Sequence, residues 1–256
     1  MRRSILHILC AVLFVLASAC SLTAKVKQYR VEVVKAYPHD VTSYTQGLFF
    51  AGGRMYESTG QYGSSTFRLV DLNTGKAERR LDFSKKYFVE GSCVLGDKLY
   101  ILTWTNKVVF VYEFPSLEYE ATFSYPRQGW GLTTDGKSLI ASDGSSRVFY
   151  MDKNFRVTST LNVTLHGRPL NYLNELEFID GKIWANVYTS DMIVIINPLT
   201  GVVEGVVDCS GLLPEPLKTS STDVLNGIAY NPETKKLYLT GKNWPELYEV
   251  RVVEKN

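Results

Sequence analysis

Residues 45–48 read Thr-Gln-Gly-Leu, and the element returns as Val89-Glu90-Gly91-Ser92, Gly129-Trp130-Gly131-Leu132, Leu173-Asn174-Glu175-Leu176 and Leu225-Asn226-Gly227-Ile228. The starts lie 44, 40, 44 and 52 residues apart. Each is followed by a turn and a second β-rich run, at 55–59, 99–103, 138–142, 183–187 and 237–241. In four units a third run and a further Asp-, Asn-, Gly- or Pro-containing turn follow, at 71–75, 113–116, 152–154 and 197–201. A period of roughly 40–45 residues with about four short strands per unit is the pattern of propeller blades. The fifth unit runs out near Val253 after three strands, and the spare run at 29–37, YRVEVVKAY, is free to supply its fourth. That pairing would protect an otherwise bare edge. The expected fold is all-β: a five-bladed β-propeller, its last blade closed by the N-terminal strand. A two-sheet sandwich is the alternative, but it does not account for the recurring segment.

Outside the repeats, the first nineteen residues are of another kind. Arg2 and Arg3 precede an apolar stretch at 5–16, and Ala17-Ser18-Ala19 offers a small-residue cleavage site. This is the layout of a secretory signal, with an apolar run too short to span a membrane. Export to the periplasm is the expectation. Cys20 stands where a lipoprotein would be acylated and so anchored to the membrane, with plain cleavage as the alternative. The remaining 20–256 segment is long enough for one large β domain, expected to act as a monomer. The chain carries 28 basic and 26 acidic residues, and loss of Arg2 and Arg3 leaves 26 of each. A neutral domain without a basic run gives no electrostatic reason to expect nucleic acid. Cys93 and Cys209 sit in apolar runs and read as two buried free thiols, with a bridge between them as the alternative. No C-x-x-C pair or His cluster points to zinc. His39 and His166 lack companion ligands and read as structural or surface residues.

If the recurring elements begin the innermost strands, their second residues meet at the axis: Gln46, Glu90, Trp130, Asn174 and Asn226. Small or apolar residues would serve packing there; unlike polar groups converging in a concavity serve binding or catalysis. The ends of the second runs add Gly60, Trp104, Asp143, Tyr188 and Lys242 at equivalent places. Alternation puts Trp184 and Asn186 on the same strand face as Tyr188. Core packing is the ordinary role of a tryptophan, and a solvated surface is the ordinary place of a glutamate. Their shared location at repeat-equivalent ends argues against both. Asp143-Gly-Ser-Ser146 reads as a turn.

Several long segments then resemble one family in order along the chain: YPHDVTSYTQGL (37–48), YESTGQYGSSTFRLVDLNTGK (56–76), GWGLTTDGKSLIASDGSS (129–146), LNELEFIDGKIWANVY (173–188), VLNGIAY (224–230) and LTGKNWPELYEV (239–250). They are similar to the plant and bacterial type of glutaminyl-peptide cyclotransferase. The resemblance implies a metal-independent propeller enzyme with no cofactor. Its substrate would be a peptide or protein with N-terminal glutamine, cyclised to pyroglutamate with loss of ammonia. It implies Glu90 as the acid–base residue and Gln46, Asn174, Lys242 and the aromatic walls Trp104, Trp130 and Trp184 as substrate contacts; the repeat adds Asn226 as a further substrate contact. Val89 departs from the commoner Gly-Glu-Gly. Two other readings compete: a metal-dependent propeller lactonase using Glu90, Asn174, Asn226 and Asp143, and a non-catalytic surface propeller that binds peptides or glycans.

Overall fold

The computed structural model describes residues 25–255, and these form an all-β, propeller-like chain. The stretch read as a signal, the expected cleavage site and Cys20 lie outside the described residues. After β1 (Lys27–Pro38) come three four-stranded antiparallel sheets whose strand order follows the chain. The first holds β2 (Thr45–Ala51), β3 (Arg54–Thr59), β4 (Thr66–Val70) and β5 (Ala77–Asp82). The second holds β6 (Val89–Leu95), β7 (Lys98–Thr103), β8 (Val108–Glu113) and β9 (Tyr119–Ser124). The third holds β10 (Leu132–Thr134), β11 (Leu139–Ser142), β12 (Arg147–Met151) and β13 (Val157–Asn162). A small hairpin, β14 (Thr164–Leu165) and β15 (Arg168–Pro169), leads into β16 (Leu173–Ile179), β17 (Lys182–Val187), β18 (Met192–Ile196) and β19 (Val203–Asp208). The chain ends with β20 (Leu225–Asn231), β21 (Lys236–Gly241) and β22 (Glu246–Glu254).

These last two groups share one eight-stranded sheet, ordered β16-β17-β18-β19-β1-β22-β21-β20. The N-terminal strand pairs antiparallel with β22 from Tyr29↔Glu254 to Pro38↔Glu246, as expected from the repeat. It also pairs parallel with β19, from Lys27↔Gly205 to Arg30↔Asp208. That second pairing welds two neighbouring groups together. It leaves no trace in sequence, because a few residues of parallel ladder impose no hydrophobic pattern of their own.

Within each sheet the composition changes with strand order. The first strands are buried almost throughout, whereas β5 (Ala-Glu-Arg-Arg-Leu-Asp) and β13 are exposed along nearly their whole length. Apolar clusters fill the spaces between sheets; Phe49, Tyr56 and Phe67, for example, pack with Leu99 and Ile101. Cys93 and Cys209 are buried and unpaired, and burial pushes the Cys209 thiol up to about 12.

The first strands are mutual neighbours in a closed cycle: β2 lies by β6, β6 by β10, β10 by β16, β16 by β20, and β20 by β2. Glycine makes this approach feasible. A Cβ on Gly91 would stand 2.4 Å from the Leu132 nitrogen, and one on Gly131 would stand 2.1 Å from the Asn174 carbonyl oxygen. A side chain at either place would hold the strands apart.

Candidate active site

The strand starts deliver Gln46, Glu90 and Asn174 to one cavity of about 180 Å³, completed by Tyr44, Phe88, Trp104, Trp130, Tyr188 and Lys242. Local backbone explains why these three side chains turn inward. The ladder slips between Thr45 and Gly47, between Val89 and Ser92, and between Leu173 and Leu176. Each slip is a β-bulge, which leaves a residue out of the pairing and re-aims its side chain. Serines on neighbouring strands then pin the bulged backbone: Ser58 donates to the Glu90 carbonyl at 2.7 Å, and Ser142 to the Asn174 carbonyl at 2.7 Å.

Around the cavity runs a nearly continuous aromatic collar. Tyr44 and Phe88 meet at 6.1 Å, Phe88 and Trp104 at 5.5 Å, and Trp130 and Tyr188 at 5.5 Å between ring centroids. Two gaps remain, each spanned by a polar side chain. The Lys242 ammonium lies 4.6 Å from the Tyr44 ring centre and 5.1 Å from that of Tyr188. On the other side, the indole N–H groups of Trp104 and Trp130 both donate to Gln128 Oε1, at 2.8 and 3.2 Å. The Tyr44 hydroxyl donates to Asp223 at 2.7 Å.

The polar groups inside this collar are buried yet have few protein partners. Glu90 is 5% and Lys242 3% exposed. Among the described residues, neither side chain makes a protein hydrogen bond, and the Asn174 amide has none either. Buried polar groups are ordinarily satisfied, so unpaired ones facing a cavity mark a place for a ligand's own donors and acceptors. Burial pushes the Glu90 carboxyl well above the usual carboxylate range, against the opposing pull of the Lys242 charge. Burial likewise pushes Lys242 down, opposed by Glu90 and Asp223. A carboxyl raised by burial in the same cavity as a desolvated amine is an arrangement suited to proton transfer.

Seven of the residues picked out from sequence therefore share one cavity: Gln46, Glu90, Trp104, Trp130, Asn174, Tyr188 and Lys242. Two placements need correction. Asn226 does not line the wall; fully buried, it donates to the Thr45 carbonyl at 2.9 Å and to Gln46 Oε1 at 3.3 Å, so it holds Gln46 from behind. Trp184 lies in the interior of β17, opposite Glu177, and packs against Ile179, Leu237 and Val250 around a different cleft. Alternation preserved its face but not its depth: four residues of strand carry it roughly 13 Å from Tyr188. Tyr188 itself forms the wall there.

Tyr44 and Phe88 escaped the sequence reading. Both stand two residues before a converging side chain, Gln46 and Glu90, and that shared offset within the repeat was the available signal. Asp143 is taken up in a turn, its carboxylate accepting from the Ser145 nitrogen at 3.1 Å. Of the four residues the metal reading needs, only Glu90 and Asn174 reach the cavity, and no cluster of three or more His, Cys, Asp or Glu suited to a metal occurs among the described residues.

Comparison with known proteins gives a consistent picture. The family model described as glutamine cyclotransferase matches residues 6–252. The chain is 41% identical over 241 residues to the glutaminyl-peptide cyclotransferase of Arabidopsis thaliana, covering 92% of this chain and 75% of that one. The crystal structure of Myxococcus xanthus glutaminyl cyclase superposes with a TM-score of 0.84 at 32% identity, covering 91% of this chain and 100% of that one.

Proposed function

The chain belongs to the glutamine cyclotransferase family, and we propose that it closes the N-terminal glutamine of peptides and proteins into pyroglutamate, with Glu90 carrying the proton. The observation that carries the reading is the Glu90 carboxyl, buried without a protein hydrogen bond inside an aromatic collar whose cavity of about 180 Å³ suits one residue. Drug-sized ligands take roughly 300–1,000 Å³.

The chemistry follows from what the substrate already supplies. Its α-amine attacks its own side-chain amide carbon; a C–N bond forms, the bond to the amide nitrogen breaks, and ammonia leaves. Attacker and target share one chain, so much of the orientational advantage is covalent and the protein has only to select the folded rotamer. The attacking nitrogen must lose a proton and the leaving nitrogen must gain one. Glu90, whose protonated form burial favours, gives its proton to the leaving nitrogen and recovers one from the former amine, ending unchanged. Acid–base help of this kind is worth about 10²–10⁴-fold. The amides of Gln46 and Asn174 are placed to hold the oxyanion as it develops. The aromatic walls exclude water, which keeps the carboxyl neutral.

Two finer readings accompany this one. Five blades are supported by the cycle of five neighbouring first strands, with β1 counted in the last blade. Export is supported by the basic, apolar and small-residue order of 2–19, and the intact mass of the mature protein decides whether Cys20 carries lipid. For the reaction, purified protein is incubated with a Gln-initiated peptide and ammonia and peptide mass are followed together. Stoichiometric loss of one ammonia, indifferent to chelator, is expected. Absence of ammonia would return the binding-propeller reading, and loss of activity with chelator the metal reading.

A further inference from the structure

The tie between the two indoles is made by a residue that lies outside the cavity it serves. Gln128 sits in the irregular stretch between β9 and β10, and its side chain is exposed. One atom, Oε1, accepts from Trp104 Nε1 at 2.8 Å and from Trp130 Nε1 at 3.2 Å. An indole nitrogen can only donate, so two of them converging on one point require an acceptor, and the amide orientation is dictated by the pair. The two tryptophans come from different sheets: Trp104 follows β7 and Trp130 precedes β10. Both are only half-buried, so packing alone holds them less firmly than a core residue.

We propose that Gln128 is a positioning residue for cyclisation, a clasp whose carbonyl oxygen locks both indole walls so that the glutaminyl side chain is held folded against Glu90. This rests on the cyclotransferase reading given above. The collar has its other interruption at Lys242, which bridges Tyr44 and Tyr188 by its charge. Gln128 does the equivalent work on the side where two N–H donors would otherwise face each other with no acceptor between them. The indole faces are thereby kept toward the substrate and their N–H edges away from it.

The test is a set of variants assayed for kcat and KM with a Gln-initiated peptide, alongside Tm. Gln128→Met keeps the length and apolar volume but removes the strong acceptor, and kcat/KM should fall about tenfold, the worth of one to two hydrogen bonds. Gln128→Glu restores an acceptor and should recover most of that loss. In a Trp104→Phe, Trp130→Phe background, where no indole N–H remains, Gln128→Met should change nothing further, because coupled residues are non-additive. Tm should hold in the Gln128 single variants, since the residue is exposed. Equal losses from Gln128→Met in both backgrounds, or no loss in the first, would overturn the clasp while leaving the cyclotransferase reading intact. A wild-type protein that releases no ammonia would remove both.

Discussion

Replacing Gly131 with alanine places one methyl group where the closed cycle of first strands has no room. Its Cβ would stand 2.1 Å from the Asn174 carbonyl oxygen and 2.8 Å from the Leu176 nitrogen, where ordinary contact begins at 3.4 Å. Both obstacles are backbone, so the β16 start must retreat by about 1 Å. That carbonyl is the one Ser142 holds at 2.7 Å, and the same hydroxyl accepts the Gly131 nitrogen at 2.7 Å. Overpacking costs about 1–3 kcal/mol, and two weakened hydrogen bonds add about 0.5–1.5 kcal/mol each. At about 2–4 °C per kcal/mol for a domain of this size, Tm should drop by roughly 5–20 °C. The Asn174 amide moves with its backbone, and a 1 Å misplacement can cost up to about 10²-fold in rate. The assay is thermal unfolding together with kcat/KM. Gly96→Asn serves as control: its φ is +67° with nothing within 4 Å, and asparagine tolerates that conformation. Should Gly131→Ala keep both its Tm and its kcat/KM, close strand approach is not why glycine stands there.

Other perturbations separate the roles within the site. Glu90→Gln should lower kcat by about 10²–10⁴-fold while Tm holds or rises, because an unpartnered buried acid is exchanged for a neutral amide; a near-normal kcat removes Glu90 from the chemistry. Lys242→Met takes away the charge that holds the Glu90 carboxyl down, so the limb of the kcat/KM–pH profile governed by Glu90 should move to higher pH. An unmoved limb contradicts that coupling. Far from the cavity, the Glu57 carboxylate accepts from Arg68, His39 and Thr45, and the Arg68 and His39 charges hold it at about 2 despite burial. A depressed carboxylate contributes stability above its unfolded value near 4.5, lost as pH falls toward 2. Glu57→Gln should therefore cost about 3–5 kcal/mol at neutral pH and flatten the acid fall-off, read by urea unfolding at pH 7 and pH 3. His39, raised by Glu57, works with the opposite sign and weakens the network as pH climbs past its own value.

What could be read in the sequence was what the fold repeats. Strand starts, turns and the closing role of β1 were visible because the same solution recurs along the chain. Turn chemistry was visible too: Asp71, Asp152 and Asn197 each accept backbone N–H groups two or three residues on. Gln46, Glu90 and Asn174 followed from the repeat because each sits at the same bulge. The misses share another cause. Tyr44, Phe88 and Gln128 lie in lead-in segments, where no periodicity tells an observer which way a side chain points. Trp184 was misplaced because period two encodes a face of the sheet and says nothing about distance along it. Asn226 matched its equivalents in position, yet its amide nitrogen is taken up by Thr45 and Gln46 of β2.

The same repeat explains why the site can be asymmetric on a repetitive scaffold. The residue after each converging side chain is Gly47, Gly91, Gly131 and Gly227 in four units, and Glu175 in the remaining one, the fourth along the chain. Four glycines draw their strands together, and the one long side chain crosses the space that remains. Its carboxylate accepts the Leu48 nitrogen at 3.3 Å and the Ile228 nitrogen at 2.9 Å, on strands of two other units. Five glycines would leave the axis open, and a second large side chain would force the strands apart. Glu175 is itself 1% exposed, so this crossing lies in the buried layer beside the converging side chains. The Glu90 carboxyl is raised by its burial, so whatever keeps the layer around it dry favours its neutral form.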